Sequence, residues 1–417
     1  MGTAYLLASN RYRETLMTAG TASTRDMITD RSPAWGAVLA MSLCCMVLVA
    51  SEFMPVSLLT PIASDLHMTE GQAGQAISVS GIFAVLTSLS ISGLTSRWDR
   101  RTVLLALALS LIVSGTVVAL APNYTILMLG RAVLGIAIGG FWSMSAAAVM
   151  RLVPADSVPR ALAILQGGTA LSSIVAAPLG SFLGGYIGWR GAFFCVVPLA
   201  AIALVWLLAK LPSMHAGRPT GSGNVFKLLR RPVVASGMVA ITLFFMGQFA
   251  LFTYLRPFLE MVTHVDVPTL SLILLLLGLT GLIGTTLVGS FLKNGMYGVM
   301  IAIPLAMAGI AIALIAFGSW LAGTAVLLGV WGLLGTPAPV AWNTWLTRTL
   351  PDDAEAGGGL MVAAIQLAIT LGATVGGLLF DMSGYQSTFG ASAAMLAAAG
   401  LMAFVTKRFG STAGINF

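Results

Sequence analysis

The sequence predicts an all-α membrane protein with twelve transmembrane helices in two pseudo-symmetric six-helix bundles. Three observations support this fold class. Of the 417 residues, 58% are hydrophobic and only 8% are charged, whereas about 25% of the residues in a soluble domain are charged. Apolar runs of about 20 residues, enough to span the hydrocarbon of a bilayer, recur between short polar breaks. The two halves of the chain also share an internal repeat.

The polar breaks divide the chain into twelve candidate spans and five regions. The one long break is rich in Pro and Gly and separates the first six spans from the last six. The regions are a cytoplasmic tail at 1–34, a bundle at 35–210, a cytoplasmic linker at 211–231, a bundle at 232–406 and a cytoplasmic tail at 407–417. The predicted spans are 35–60, 73–95, 102–121, 125–150, 160–186, 191–210, 233–258, 268–292, 297–318, 322–348, 356–382 and 388–406.

The basic residues indicate the orientation of the spans. If both termini are cytoplasmic, all of the 21 Lys and Arg residues except Arg131, Arg190 and Arg256 fall in cytoplasmic segments. Lys and Arg concentrate on that side of membrane proteins. The net charge of +7 therefore reflects topology rather than a nucleic-acid partner. We expect a multi-pass protein of the inner (plasma) membrane, surrounded by the lipid bilayer, that works as a monomer.

The internal repeat has two registers that differ by one residue. An offset of 197 aligns Arg151 with Arg348, and an offset of 196 aligns Pro61 with Pro257. Further matches are Gly135 with Gly332, Pro154 with Pro351, Asp156 with Asp353, Gly180 with Gly377, Glu52 with Gln248 and Phe53 with Phe249. Transporters built from such repeats bind their substrate between the two halves near mid-membrane.

Glu52 is the acidic residue that most strongly suggests transport. It lies in an otherwise apolar run, where an ionised carboxylate at the centre of a spanning helix costs about 2.5–3.5 kcal/mol. A proton that binds and leaves, a buried cation or a water-filled cavity offsets such a cost. The alternative is a position near the helix end, within reach of headgroup water. Pro55 and Pro61 indicate that this helix is kinked or broken.

Polar and aromatic side chains in the spans are candidates for a substrate site. Gln248, Phe252 and Arg256 are four residues apart, which places them near one face of a continuous helix. Aromatic rings stack on planar solutes and amides supply hydrogen bonds, but packing or an interfacial belt explains the same residues. The predicted substrate-binding residues are Phe53, Trp142, Gln166, Gln248, Phe252, Tyr254, Arg256, Trp342, Asn343 and Gln366.

The loop after the second span resembles the signature loop of the major facilitator superfamily, Gly-x-x-x-Asp-Arg-x-Gly-Arg-Arg. The chain keeps Gly93, Asp99, Arg100 and Arg101, which the resemblance implies are gating residues. It departs from the pattern by being one residue shorter and by carrying Arg97 where that Asp is expected. Asp99 among arginines can form ion pairs and helix-end contacts that exist in one conformation only, although a simple positive-inside loop looks the same.

Two further motifs resemble those of the same superfamily. Arg131-x-x-x-Gly opens the fourth span and resembles an arginine motif that is associated with proton coupling. By physics alone, Arg131 either snorkels to the headgroups or opposes a carboxylate such as Glu52. Pro178 and Gly180 belong to a stretch that resembles the antiporter motif of the fifth span, which implies gating, although Ala177 replaces the expected Gly. Plain helix packing is the alternative.

A narrower resemblance is to the bacterial purine ribonucleoside efflux pumps. It depends on the stretches 52–61, 139–145 and 247–257 and extends from about residue 33 to the last span. It implies export of purine ribonucleosides (inosine, guanosine, adenosine) and purine analogues by alternating access, driven by protons through Glu52 and Arg131. Sugar and multidrug exporters share much of the Glu-Phe motif and are the alternative. A non-transporting membrane sensor is a remote one.

The sequence lacks the patterns of an enzyme or a metal site. No nucleophile and base have catalytic spacing in the spans, and the three cysteines form no metal-ligand pattern and no evident disulfide. We therefore expect no enzymatic activity, no metal and no cofactor, with the proton gradient as the energy source. The expected partners are a small-molecule substrate, protons and lipid.

Overall fold

The computed structural model describes residues 34–214, 225–350 and 353–412, and these fold into helices without strands. Predictions for 1–33, for 215–224 within the linker and for 413–417 lie outside the described residues. The N-terminal half contains α1 (Trp35–Asp65), α2 (Glu70–Leu94), α3 (Arg100–Ala119), α4 (Tyr124–Leu152), α5 (Val158–Phe194) and α6 (Val196–Lys210). The C-terminal half contains α7 (Pro232–Thr253), α8 (Leu255–Met261), α9 (Val267–Phe317), α10 (Leu321–Gly335), α11 (Ala338–Thr349) and α12 (Ala354–Thr412). Two short 3₁₀ helices cover Ala155–Ser157 and Val225–Arg230.

Ten helical stretches within the described residues are long and apolar enough to cross a membrane. Two of them, Val158–Lys210 and Gly357–Gly410, contain 53 and 54 residues. A straight helix of that length would extend about 80 Å, against about 30 Å of bilayer hydrocarbon. Each stretch is kinked at a glycine with left-handed backbone, Gly188 (φ 74°) and Gly384 (φ 78°), a conformation that is costly for residues with a Cβ atom.

Residues with positive φ recur along the chain at the offsets of the predicted repeat. Gly188 and Gly384 are 196 residues apart. The other described residues with positive φ, His67 (φ 52°) and His264 (φ 56°), are 197 apart. Each histidine lies in the turn just before a helix with a side-chain cap at its N-terminus. The equivalence of these turns extends the repeat from residue type to local geometry.

Each half has its own hydrophobic core, and small residues bring helices close together inside it. In the N-terminal half, a Cβ atom on Gly168 of α5 would lie 2.1 Å from the carbonyl oxygen of Ser42 on α1. One on Gly184 would lie 2.3 Å from a methyl carbon of Leu58. Small residues at such positions allow the close backbone approach on which helix association in lipid depends. The packing holds α1 firmly against α5 and so positions Glu52.

Candidate functional site

A set of hydrogen bonds joins the two halves at one end of the bundle. These cross-half hydrogen bonds involve the second half of α1, the first half of α2, α8 and the 366–381 part of α12. These segments meet at the end where α1 finishes and α2 begins, which we call the clasped end.

The clasped end contains a polar seam between α2 (residues 69–81) and α12 (residues 366–381). Asp381 accepts hydrogen bonds from Thr69 Oγ1 (2.7 Å) and from the backbone N–H of Gly71 (3.0 Å). Ser78 Oγ donates to the carbonyl oxygen of Thr370 (3.2 Å), and Thr374 Oγ1 donates to Ser78 Oγ (2.9 Å). These side chains lock α2 to the other half.

A second contact, the apolar seam, joins α5 (residues 174–185) to α9 (residues 267–278). A Cβ atom on Gly278 would lie 2.8 Å from Cα of Ile174, and one on Gly185 would lie 2.8 Å from Cγ1 of Val267. In the described part of these helices no hydrogen bond crosses this seam. The halves therefore touch here through backbone and aliphatic carbon alone.

Glu52 lies between the halves at mid-length of α1. The residue is 5% exposed, and its Oε1 accepts a hydrogen bond from Nε2 of Gln366 on α12 at 3.3 Å. Gln366 is itself 7% exposed, and its own Oε1 has no partner. The alternative that Glu52 reaches headgroup water at a helix end is therefore wrong. The Glu52 carboxylate instead forms a hydrogen bond with α12 of the opposite half.

Arg131 is buried beside Glu52, with 1% of its surface exposed. Its Nη1 donates to the carbonyl oxygen of Ser51 (2.6 Å) and its Nη2 to the backbone carbonyl of Glu52 (2.9 Å). Nε donates to Ala76 O (2.8 Å), and Nη2 also reaches Ser80 Oγ (3.1 Å). Snorkelling is thus ruled out. Arg131 therefore holds the backbone of α1 beside Glu52.

Phe53 and Phe249 close the space below the clasped end. Their rings, one from each half, stack with centroids 5.4 Å apart at 26°, and Phe252 lies edge-on to Phe249 at 5.9 Å. Along α1 and α7, the positions left partly accessible form stripes that lead from this stack to the opposite end. They are Leu39, Leu43, Met46, Ala50 and Phe53 on α1 and Ala235, Val239, Thr242 and Met246 on α7.

The two stripes are equivalent under the 196-residue offset, and most of the other positions on both helices are buried. Phe249, buried at 7% exposure, is the counterpart of Phe53. The two stripes thus run along equivalent parts of α1 and α7 up to the aromatic stack that joins the halves.

The predicted stripe of Gln248, Phe252 and Arg256 is wrong beyond Phe252, because α7 ends at Thr253 and α8 begins at Leu255. The Arg256 side chain is 6% exposed. Its Nε donates to Glu260 Oε1 at 2.7 Å, and its Nη1 donates to the carbonyl oxygen of Ser57 in the other half. Gln248 is half-buried, and its Oε1 has no partner.

Tyr254 is a buried part of the polar seam in this conformation. It is 0% exposed, its hydroxyl donates to Ala373 O at 2.8 Å, and its ring stacks on Phe380 at 5.3 Å. Cβ atoms on Gly74 and Gly377 would lie 2.1 and 2.3 Å from that hydroxyl. These glycines thus provide the space that Tyr254 fills.

The remaining predicted binding residues lie apart from the Glu52–Gln366 contact. Trp342 is 2% exposed and packs edge-on against Trp345 at 5.9 Å. Trp142 is half-buried against the N-terminal core. Gln166 and Asn343 are exposed, and Asn343 Nδ2 donates to Pro339 O at 2.8 Å. The structure therefore groups Glu52, Phe53, Phe252 and Gln366, with Phe249 added by the fold.

Asp99 of the signature-like loop caps the N-terminus of α3, where it accepts from the backbone N–H of Arg101 (2.8 Å) and of Met214 (2.9 Å). Arg100 Nη1 lies 3.3 Å from Thr95 Oγ1, and Arg101 Nη2 donates to Leu208 O at 2.9 Å. Gly93 has open space around it. These contacts stay within the N-terminal half.

The antiporter-like motif of α5 faces α1. Pro178 is buried, and a Cβ atom on Gly180 would lie 2.7 Å from Ser57 Oγ. Pro178 and Gly180 therefore have the helix-packing role that was the alternative to gating. A gating role stays a prediction.

Reasoning from sequence missed Phe249 as a site residue, although the repeat aligns it with Phe53. It also missed Ser57, Glu260 and the hydroxyls of the polar seam. The carbonyl of Ser57 had a readable signal, since Pro61 lies four residues later and has no N–H to offer it.

Comparison with known proteins gives four findings. Residues 41–357 match the profile of the Major Facilitator Superfamily. The chain is 57% identical over 402 residues to a Pseudomonas aeruginosa protein named transcription regulatory protein OpdE, covering 95% of this chain and 100% of that relative. It is 43% identical over 364 residues to the purine ribonucleoside efflux pump NepI of Salmonella typhimurium, covering 87% and 92%. The fold matches a crystal structure of a D-xylose-proton symporter with a TM-score of 0.74 at 16% identity, covering 89% of this chain and 98% of that one.

Proposed function

Because the chain belongs to the major facilitator superfamily, whose members are membrane transporters rather than enzymes, we propose that it exports purine ribonucleosides and purine analogues in exchange for protons by alternating access. The observation that carries the proposal is the buried Glu52–Gln366 contact between the halves, directly beside the Phe53–Phe249 stack.

The transport fold proposed here has twelve spans in two pseudo-symmetric bundles. Breaks at Gly188 and Gly384 each divide a stretch of more than 50 residues into two of spanning length, which turns ten stretches into twelve. The equivalence of these breaks, and of His67 with His264, supports a pseudo-two-fold axis. A substrate site near mid-membrane between the halves follows from such symmetry.

Orientation in the inner membrane follows from the basic residues. With both termini cytoplasmic, the clasped end faces outwards and the opposite end faces the cytoplasm. The conformation described here is then the inward-facing one, in which an exporter takes up its solute. Asp99, Arg100 and Arg101 lie at the cytoplasmic end and act as gating residues in the proposal.

Proton coupling is assigned to Glu52 with support from Arg131. The ionised carboxylate accepts from Gln366 Nε2, whereas a protonated carboxyl is a donor that the unpartnered Gln366 Oε1 is able to accept. Protonation of Glu52 thus changes which hydrogen bond joins it to Gln366 of the other half. Such a difference in interaction is what a ligand needs to shift a two-state equilibrium. Arg131 fixes the backbone of α1 at this point.

A planar base suits the space under the clasped end. Phe53, Phe249 and Phe252 offer aromatic faces, and the amide oxygens of Gln248 and Gln366 are buried acceptors without donors. A purine base brings a flat ring and N–H donors, so it satisfies both features. The 43% identity to pumps named for purine ribonucleosides supports the same class. Trp142, Gln166, Trp342 and Asn343 stay predicted substrate contacts.

The second candidate function is regulatory, because a relative at 57% identity is named a transcription regulatory protein. A membrane transporter changes gene expression when it alters the concentration of an inducer, and a non-transporting sensor does so directly. A transport-dead variant separates these two cases. If reporter expression still responds in that variant, sensing does not need transport. A sugar or multidrug exporter is the alternative within the family.

The test is uptake of labelled inosine into inside-out vesicles with and without an acidic interior, with arabinose and a cationic dye as competing solutes. We expect uphill uptake of inosine that needs the pH gradient. Glu52→Gln should abolish the uphill uptake, by at least about 100-fold, while inosine–inosine exchange continues. Glu70→Gln, which neutralises an acid in the first turn of α2, should transport normally. Gradient-driven uptake in the Glu52 variant, or none of inosine in the unaltered protein, contradicts the proposal.

A further inference from the structure

Two prolines lie inside α1, and each leaves a carbonyl without its helical partner. Proline has no N–H, so the carbonyl four residues earlier loses the donor that closes the helical turn. Pro55 frees the carbonyl of Ser51, and Pro61 frees that of Ser57. A buried carbonyl that stays unpaired costs free energy, so a donor from elsewhere is required.

Both freed carbonyls accept from a buried arginine. Arg131 of α4 donates to Ser51 O at 2.6 Å, and Arg256 of α8 donates to Ser57 O. The arginines are 1% and 5% exposed. The same device therefore occurs twice along one helix. The difference lies in where the donor comes from, since Arg131 belongs to the same half as α1 and Arg256 to the other half.

Glu260 forms an ion pair with Arg256 on the same helix, so this pair does not depend on how the two halves are arranged. Its Oε1 lies 2.7 Å from Arg256 Nε on the same helix, and its side chain is 24% exposed. A buried cation that lost its only partner would be strongly destabilising. With Glu260 travelling alongside, Arg256 is able to leave Ser57 without becoming an unpaired charge. The bond to Ser57 is therefore releasable.

We propose that Arg256 and the Ser57 carbonyl freed by Pro61 form a releasable clasp that holds this end of the bundle shut, and that the Arg131–Ser51 bond is its permanent counterpart within one half. The inference rests on the alternating access of the proposed function and does not depend on the solute. Arg256 is accordingly a positioning residue for the conformational cycle rather than a ligand for substrate in this state.

The test measures the separation of the halves at the clasped end in the purified full-length protein, in nanodiscs without solute. Spin labels at the exposed positions Ser64→Cys and Ser319→Cys report the distance in a background where Cys44, Cys45 and Cys195 are Ala. Arg256→Gln should raise the ratio of long to short distances about tenfold, since a hydrogen bond to a charged group contributes on that order.

Two proline variants supply the matched comparison. Pro61→Ala returns an N–H to the Ser57 carbonyl and so competes with Arg256, which should raise the same ratio by about twofold to fivefold. Pro55→Ala makes the identical change one and a half turns earlier, where the arginine does not cross between halves, and should leave the ratio unchanged. If Arg256→Gln fails to fold, these two variants decide the question.

An unchanged ratio in Arg256→Gln or Pro61→Ala overturns the clasp, and so does an equal rise in both proline variants, which would reflect helix straightening alone. The outcome is separable from that of the transport assay. If the distance ratio shifts but the protein takes up no inosine, the clasp stands and the proposed substrate is wrong. If inosine uptake is normal but the distance ratio does not shift, the proposed substrate stands and the clasp is wrong.

Discussion

The polar seam and the apolar seam occupy equivalent places in the repeat but join the halves by different means. Gly81 lies against Thr370 in the polar seam, and Gly278 lies against Ile174 in the apolar one; both partners are related by the same offsets of 196 and 197. Side-chain hydrogen bonds cross the first seam, and only close packing joins the described residues of the second.

The two seams therefore contribute differently to the contact between the halves. Hydrogen bonds are directional, so the polar seam fixes the register in which the halves meet. Packed aliphatic groups gain little from leaving lipid for a protein neighbour, so the apolar seam contributes fit rather than adhesion. We expect the polar seam to be sensitive to the loss of a bond and the apolar seam to the addition of bulk.

The largest effect should come from adding a methyl group to the apolar seam, and the same change in the polar seam is the comparison. Gly278→Ala places Cβ against the backbone of Ile174, which moves only if the helix moves, whereas Gly81→Ala meets Thr370 Oγ1 at 2.1 Å, a side-chain atom that is able to rotate. Overpacking costs about 1–3 kcal/mol, so Gly278→Ala should raise the ratio of long to short Ser64–Ser319 distances about tenfold or more.

The matched control for this pair is Gly309→Ala on α9, because no atom lies within 4 Å of a Cβ atom there. It should leave the distances unchanged and raise helix stability slightly. A larger shift in the Gly81 variant than in the Gly278 variant would reverse the assignment of the two seams.

An intermediate effect should follow from removing one hydroxyl of the polar seam. Thr374→Val keeps the shape of the side chain but removes a hydroxyl whose one hydrogen is within reach of Ser78 Oγ and Gln75 Oε1 across the seam and of Thr370 O on its own helix. A hydrogen bond of this kind contributes about 1 kcal/mol, so the distance ratio should rise about fivefold. Thr344→Val removes a hydroxyl that bonds to Val340 O of its own helix and should have no effect on the ratio. Equal behaviour of the two would mean that the seam hydroxyls do not hold the halves.

The smallest effect should come from the exposed rim. Asp381→Asn weakens the hydrogen bonds from Thr69 and Gly71 across the polar seam, and we expect about a twofold rise in the distance ratio. Asp266 is the matched acid, since it caps the N-terminus of α9 within its own half. Asp266→Asn should lower the melting temperature slightly without changing the distances.

The pH dependence of the Asp266 contribution has a definite sign. Hydrogen bonds from Thr269 hold the pKa of Asp266 below its usual value. The stabilisation by this cap is therefore present at neutral pH and is lost as the pH falls through the lowered pKa. Thermal melts of the Asp266→Asn variant should converge on those of the unaltered protein in that acidic range. A gap that widens there would contradict this.

The sequence predicted the elements that depend on local pattern. Apolar runs marked the helices within a few residues, although α12 continues to Thr412 beyond the predicted end of the last span at 406. Glu52 was identified because a carboxylate in an apolar run needs an explanation wherever it lies. The predicted offsets of 196 and 197 also relate the turns at His67 and His264, which were not among the predicted matches.

Contacts between the halves were not predictable in the same way. Ser78 and Thr374 look like ordinary small polar residues, and their bond depends on which faces of α2 and α12 meet in this conformation. Arg256 was placed on a stripe with Phe252 by regular spacing, which a break at Tyr254 interrupts. The partner of Arg131 is a backbone carbonyl, an acceptor that every residue carries and that only the fold makes specific.

The left-handed turns carry a consequence for ancestry. His67 and His264 adopt a backbone conformation that disfavours side chains with a Cβ atom, and a non-glycine residue in it at both sites is explained by inheritance more simply than by separate invention. Such inheritance implies an ancestral half that already had this turn and the glycine bend of Gly188. The side chains that distinguish the seams, and the Glu52 and Gln248 that differ between the halves, therefore stand on matching backbone.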